Sequence, residues 1–152
     1  MAEYRGIDVS NWQGNIDFTK VKEAGIEIVY IKATEGTDYV DPFLKSYYDG
    51  AKANGLKVGF YHYLTARTER ETREQARYFV DTLGRMETDC IFAVDLGNKK
   101  GLNNDSFSEL ARIFIQELKS LTDIDCMIYA STSTAKYDLA RFLSEYPLWV
   151  AE

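Results

Sequence analysis

Ile26-Glu27-Ile28-Val29-Tyr30-Ile31-Lys32, then Asp41-Pro42 opening a segment that runs to Gly55, then Leu56-Lys57-Val58-Gly59-Phe60-Tyr61-His62-Tyr63: this unit decides the fold class. Its first and last runs are short, apolar and rich in β-branched and aromatic residues, as parallel strands buried on both faces are. Between them Phe43, Leu44, Tyr47 and Ala51 recur at helical spacing. Pro42 suits a first helical turn, and Gly55 suits the end of one. Strand, helix and strand in this order form a crossover between parallel strands.

The alternation continues outward in both directions. Further strands are predicted at Tyr4–Val9, Ile91–Asp95, Met127–Tyr129 and Leu148–Ala151. Asp17 is placed to cap a helix over Phe18–Ala24 that Gly25 closes. A helix over Arg70–Leu83 buries Ala76, Phe79, Val80 and Leu83 and stops at Gly84. The next starts near Ser106, with Ser106 and Glu109 spaced as a capping box and a stripe of Phe107, Leu110, Ala111, Phe114, Leu118 and Leu121. A shorter helix is expected over Ser133–Phe142. Repeated βα units give a parallel sheet covered by helices, which is either an open doubly wound sheet or a barrel. No glycine-rich nucleotide fingerprint follows a strand, and Gly97-Asn98-Lys99-Lys100-Gly101 lacks the spacing of a phosphate-binding loop.

The composition narrows the function classes. A chain of 152 residues, 45% hydrophobic and 28% charged, is an ordinary globular domain. A net charge of -6 argues against nucleic acid as partner. No stretch approaches the roughly 20 apolar residues of a membrane helix, so no membrane partner is expected. Met1-Ala2-Glu3-Tyr4-Arg5 carries no apolar signal core, which predicts a product made in the cytoplasm without a signal peptide. With one histidine, His62, and no paired cysteine motif, neither a metal nor another cofactor is expected. Cys90 and Cys126 are expected as free, buried thiols. Most of the Tyr 11, Phe 8 and Trp 2 are read as core.

Polar residues gather at one end of the predicted strands. Asp8 lies in the first, Lys32 and Glu35 leave the second, His62 and Tyr63 end the third, Asp95 ends the fourth and Tyr129 the fifth. A barrel sets its active site at that end. A lone buried carboxylate would be read as half of an ion pair, with Lys32 neutralising Asp8 or Glu35. Carboxylates on three strands around one rim point instead to a functional site, because burial without a shared purpose is costly. Clustered carboxylates without metal ligands suit glycoside hydrolysis: one protonates the leaving oxygen, another supports the developing positive charge or activates water.

Gly6-Ile7-Asp8-Val9-Ser10-Asn11-Trp12-Gln13-Gly14 resembles the opening motif of glycoside hydrolase family 25, the muramidases of autolysins and phage endolysins. The likeness continues through Val29–Gly36 and Val58–Tyr63 and ends at Pro147–Glu152. The resemblance implies a TIM-like (β/α) barrel, incomplete at the C-terminus, over a single catalytic-type domain, residues 1–152. It implies cleavage of the β-1,4 bond between N-acetylmuramic acid and N-acetylglucosamine in bacterial peptidoglycan, at the cell wall after release. Asp8 matches the family's first-strand aspartate, and Asp95 the first acid of its Asp-x-Glu motif. Glu35, Tyr63, Tyr129 and Trp149 match substrate-contact or support positions.

Two departures follow from the same comparison. The motif here reads Asp95-Leu96-Gly97, so Gly97 stands at the position of the general acid, and hydrolysis is expected to be weak or absent. Six strands are read where a closed barrel needs eight. The family continues with a further strand pair that carries another acid. Open sheet edges invite a second copy or a companion fragment to complete the barrel. The alternative to an impaired hydrolase is a non-catalytic peptidoglycan-binding protein that has kept its cleft.

Overall fold

The computed structural model describes residues 4–97, 99, 101–137, 139 and 146–151. Strands and helices alternate as β1 (Gly6–Val9), α1 (Phe18–Glu23), β2 (Ile28–Glu35), β3 (Tyr39–Val40), α2 (Leu44–Ala53), β4 (Lys57–Leu64), α3 (Glu69–Leu83), β5 (Phe92–Leu96), α4 (Asn104–Thr122), β6 (Cys126–Ser131), α5 (Thr132–Tyr137) and β7 (Leu148–Ala151). A single 3-10 turn, Asn11–Gln13, joins β1 to α1. The strands order β1-β2-β4-β5-β6-β7, all parallel, and the short β3 adds antiparallel to β2.

Every predicted strand forms, with shifted ends that have local causes. The Ile26 amide donates to the Val21 carbonyl, 3.4 Å away, and so still belongs to the end of α1, where Gly25 turns the chain at φ 88°. β2 therefore starts at Ile28, and a register shift between Lys32 and Thr34 carries it on to Glu35. The two-residue β3 was not foreseen. Asp17 caps α1 as expected, accepting from the Thr19 and Lys20 amides. The capping box at Ser106 does not form. Asn103 Oδ1 accepts from the Ser106 amide at 2.8 Å, so Ser106 sits inside the first turn of a helix that begins earlier. Leu121, placed in the buried stripe, is exposed because α4 ends one residue beyond it. Thr68 caps α3, which starts at Glu69, one residue before its predicted start. The helix predicted over Ser133–Phe142 corresponds to α5, and of its second half all but residue 139 lies outside the described residues, as do Glu152, Asn98 and Lys100.

Strand alternation divides the core into two layers. Val29, Ile31, Val58, Phe60, Phe92, Val94 and Ile128 face the helices and pack on Tyr47, Phe79, Phe114 and Leu118. The opposite face carries a smaller cluster built on Tyr30, Tyr61 and Ala93, with Met127 and Trp149 against it. Large rings on that face draw the strands into a curve. Three strands separate β1 from β6, so a flat sheet would hold them roughly 19 Å apart. Instead the Tyr129 hydroxyl reaches Asp8 Oδ2 at 3.2 Å. The Tyr30 and Trp149 rings, from β2 and β7, lie 5.1 Å apart edge to face. The chain is thus an α/β fold in which a curled parallel sheet forms part of a barrel, with the second cluster as its interior.

Both cysteines are free. Cys126 is buried, and burial pushes its thiol upward; Cys90 is only half-buried, since it precedes β5 rather than lying within it.

Candidate active site

The strand registers bring five of the candidate residues into one row. Glu35 on β2 pairs with Tyr63 on β4, Tyr63 with Asp95 on β5, Asp95 with Tyr129 on β6, and Tyr129 with Trp149 on β7. Residues in register point the same way. The row therefore runs around the interior side of the rim at the C-terminal ends of the strands.

Asp8 enters this row from a lower level. Its Cα pairs with Tyr30, well down β2, but the curl lets the Tyr129 hydroxyl donate to it. Burial raises the Asp8 carboxyl above its ordinary value, and the Tyr129 hydrogen bond opposes that rise. Asp95 is pushed further, to about 6, first by burial and then by the charge of Asp8; Lys32 pulls the other way. Tyr129 is raised to about 12 by burial and by Asp8, so its phenol stays protonated and can only donate to that carboxylate.

Lys32 resolves the ion-pair question left open by the sequence. Its Nζ lies 2.8 Å from Glu35 Oε1, and no pairing with Asp8 forms among the described residues. Residues three apart in a regular strand face opposite ways. The register shift at Ala33 inserts one residue into β2, which returns Glu35 to the side that Lys32 occupies. The ammonium also lies 5.2 Å from the Tyr39 ring centroid and 5.5 Å from that of Tyr63.

These groups open into a cleft of about 350 Å³ lined by Ser10, Trp12, Lys32, Glu35, Tyr61, Tyr63 and Asp95. Glu35, Tyr63 and Asp95 were candidates from the sequence. Asp8, Tyr129 and Trp149 support the cleft from beside it rather than lining it. Tyr61 was overlooked, although it lies two residues before Tyr63 and therefore on the same strand face. Ser10 and Trp12 were read only as part of a motif; no local signal sets them on the rim. Trp149 packs edge to face on Tyr129 and on Tyr30, 5.1 Å from each.

His62 leaves the site altogether. As an even-numbered neighbour of Tyr61 and Tyr63 it faces the helices, fully buried between Phe79 and Phe114. Gln75 Oε1 can only accept, so Nε2 carries the proton at 2.9 Å and Nδ1 accepts from the Thr34 hydroxyl at 2.6 Å. Burial lowers its pKa to about 4, and the ring is neutral.

Gly97 follows directly on β5. A Cβ built there would lie 2.5 Å from Tyr63 Cζ and overlap the phenol oxygen as well. The Tyr63 phenol thus fills the space that any side chain at position 97 would enter.

The profile of Glycosyl hydrolases family 25 matches residues 7–152. The chain belongs to that family. The autolytic lysozyme of Clostridium acetobutylicum is 41% identical over 148 residues, covering 97% of this chain and 44% of its own length. Among solved structures, a family 25 lysozyme from Aspergillus fumigatus superposes with a TM-score of 0.84 at 29% identity, over 97% of this chain and 76% of the other. A muramidase from Acremonium alcalophilum gives 0.86 at 27% identity, over 99% and 77%. The chain spans about half the length of these curated relatives. As a family 25 member it carries the curled parallel sheet of that fold. Described helices include none long and apolar enough to cross a membrane.

Proposed function

We propose that residues 1–152 act as one catalytic-type domain on bacterial peptidoglycan, addressing the β-1,4 bond between N-acetylmuramic acid and N-acetylglucosamine. The observation that carries this reading is the rim row from Glu35 through Tyr63, Asp95 and Tyr129 to Trp149, with Asp8 drawn in beneath it. In hydrolysis the bond from the anomeric carbon to the leaving oxygen breaks, that oxygen gains a proton, and water's oxygen joins the carbon. Asp8 and Asp95 are two carboxyls whose environments raise both, Asp95 more strongly. Such groups suit support of the anomeric centre, where a substrate N-acetyl group or a water needs orienting. Glu35, held by Lys32, and the Tyr63 phenol contact the sugar.

Gly97 offers no proton. General acid catalysis contributes roughly 10²–10⁴-fold, so hydrolysis by this chain is slow. The Tyr63 phenol seated against Gly97 favours a second reading beside the first: a cleft that retains glycan binding with little turnover. Release of new reducing ends from purified peptidoglycan, measured with binding of soluble muropeptides, tests both. Binding with turnover far below that of a family lysozyme is the expected result. Wall clearing at a family lysozyme's rate would overturn the assignment of Gly97, and no association at millimolar muropeptide would overturn the substrate class.

A further inference from the structure

Among the described residues Trp12 is the most exposed of the large hydrophobic side chains, at 87%. An indole left in water on a loose loop would need no explanation, but Trp12 stands on a rigid mount. Its 3-10 turn is closed by a reciprocal capping box between Ser10 and Gln13, with the Ser10 amide donating to Gln13 Oε1 at 2.7 Å. The Asn11 amide donates to Asp41 Oδ2 at 2.9 Å, tying the turn to the loop before α2. The Tyr47 hydroxyl of α2 donates to the Ser10 carbonyl at 3.1 Å and also reaches the Gly14 carbonyl. Asp41 and Tyr47 are themselves buried. Three elements thus fix the backbone beneath a ring left largely in water.

Trp12 lines the same cleft as Lys32, Glu35 and Asp95. Whatever fills the cleft must present hydroxyls or amides to those charged groups and an apolar face to the indole beside them. A pyranose ring does both. Its equatorial hydroxyls lie at its edge, and its axial C–H bonds form a weakly positive apolar face that rests on the electron-rich face of an aromatic ring. We propose that Trp12 is a sugar-stacking platform, a binding residue that holds an N-acetylhexosamine ring next to the acidic cleft and sets which bond of the glycan lies over Asp95. This inference rests on the glycan reading above.

The test titrates the protein with a soluble tetrasaccharide of alternating N-acetylglucosamine and N-acetylmuramic acid, using wild type, Trp12→Ala and Trp12→Phe. Trp12→Ala is expected to bind roughly tenfold more weakly, as loss of one aromatic anchor does, and Trp12→Phe to fall between. Melting of both variants should match wild type, since the indole contributes little packing. In parallel, acrylamide quenching of wild-type fluorescence should show a highly accessible tryptophan that the tetrasaccharide shields, and this shielding should vanish in Trp12→Phe, which retains Trp149. Equal affinity of wild type and Trp12→Ala, or quenching unaffected by ligand, would overturn the platform while leaving the glycan reading standing. A tryptophan already shielded in the free protein would also overturn it, because another part of the protein would then cover the ring. Failure of wild type to bind would overturn both together. Should Trp12→Ala not fold, the quenching of wild type still decides.

Discussion

Asp95→Asn should make the protein more stable at neutral pH, and by an amount the site itself sets. Burial and the nearby Asp8 raise the carboxyl from its ordinary 3.8 to about 6. At about 1.36 kcal/mol per pH unit this corresponds to about 3 kcal/mol, which solvent at the open rim reduces to about 2 kcal/mol. The sign follows from proton affinity. The folded chain holds this proton more tightly than the unfolded chain does, so the contribution to stability is fully present below pH 4. It is lost as pH rises through about 6. At pH 7 the wild type carries the whole penalty of a buried carboxylate, whereas an amide of the same shape carries none. Urea denaturation of both proteins at pH 4 and pH 7 reads the difference. The variant should gain about 2 kcal/mol at pH 7 and almost nothing at pH 4. A gain of equal size at both pH values would refute the electrostatic reasoning, since it would come from packing. No gain at pH 7 would mean that Asp95 is solvated and that the rim does not bury its carboxyl.

Three further outcomes follow from particular contacts. Gly97→Glu, made in a chain extended to its relatives' length, should raise peptidoglycan turnover at least tenfold as the half-buried Tyr63 phenol swings aside to admit the carboxyl; unchanged turnover would show that position 97 is not the acid's. Tyr129→Phe removes the hydroxyl that steadies the Asp8 carboxylate, so the Asp8 pKa should move up in a carbon-detected NMR titration; a fall or no change would mean that water replaces the phenol fully. Gly59→Ala places a methyl 2.7 Å from Tyr30 Cζ, and that ring is buried and tethered through its hydroxyl to the Ile91 carbonyl at 2.8 Å. A loss of about 1–3 kcal/mol in thermal denaturation is expected, and a variant as stable as wild type would show the interior to be loosely packed.

Local order was legible wherever one residue type has one dominant use. Apolar runs gave the strands, and Asp17 and Gly25 gave the ends of α1, because a carboxylate before a helix and a glycine after it satisfy the same backbone groups in any fold. The capping box at Ser106 misled because Asn103, an equally good cap, lies three residues earlier, and spacing alone does not choose between them. The gathering of acids at one rim was legible from their recurrence at the same ends of successive strands. The partners were not. The Asp8–Tyr129 contact joins residues 121 apart and depends on how far the sheet curls, which no segment records locally. Lys32 had two carboxylates to choose from, and an irregularity in its own strand decided between them. Trp12 was hidden for a different reason: exposure is a property of its surroundings, and the surroundings come from β1, α2 and the loop between β3 and α2.

That irregularity at Ala33 has a consequence for how the strand can vary. Up to Lys32, the even-numbered residues of β2 look into the barrel; after the extra residue, Glu35 does, and Thr34 looks toward the helices to serve His62. β2 is in effect two reading frames spliced end to end. Its lower frame builds the wall and its upper frame furnishes the rim, and either can change without disturbing the other. Deleting Ala33 would leave Lys32, Thr34 and Glu35 in plain alternation, with Glu35 still toward the rim and Thr34 still toward His62; straightening the strand with Ala33 retained is what would send Glu35 into the hydrophobic layer beneath α3 and leave His62 without its hydroxyl. The rim thus depends at this point on the bulge that absorbs the extra residue, and not on the number of residues itself.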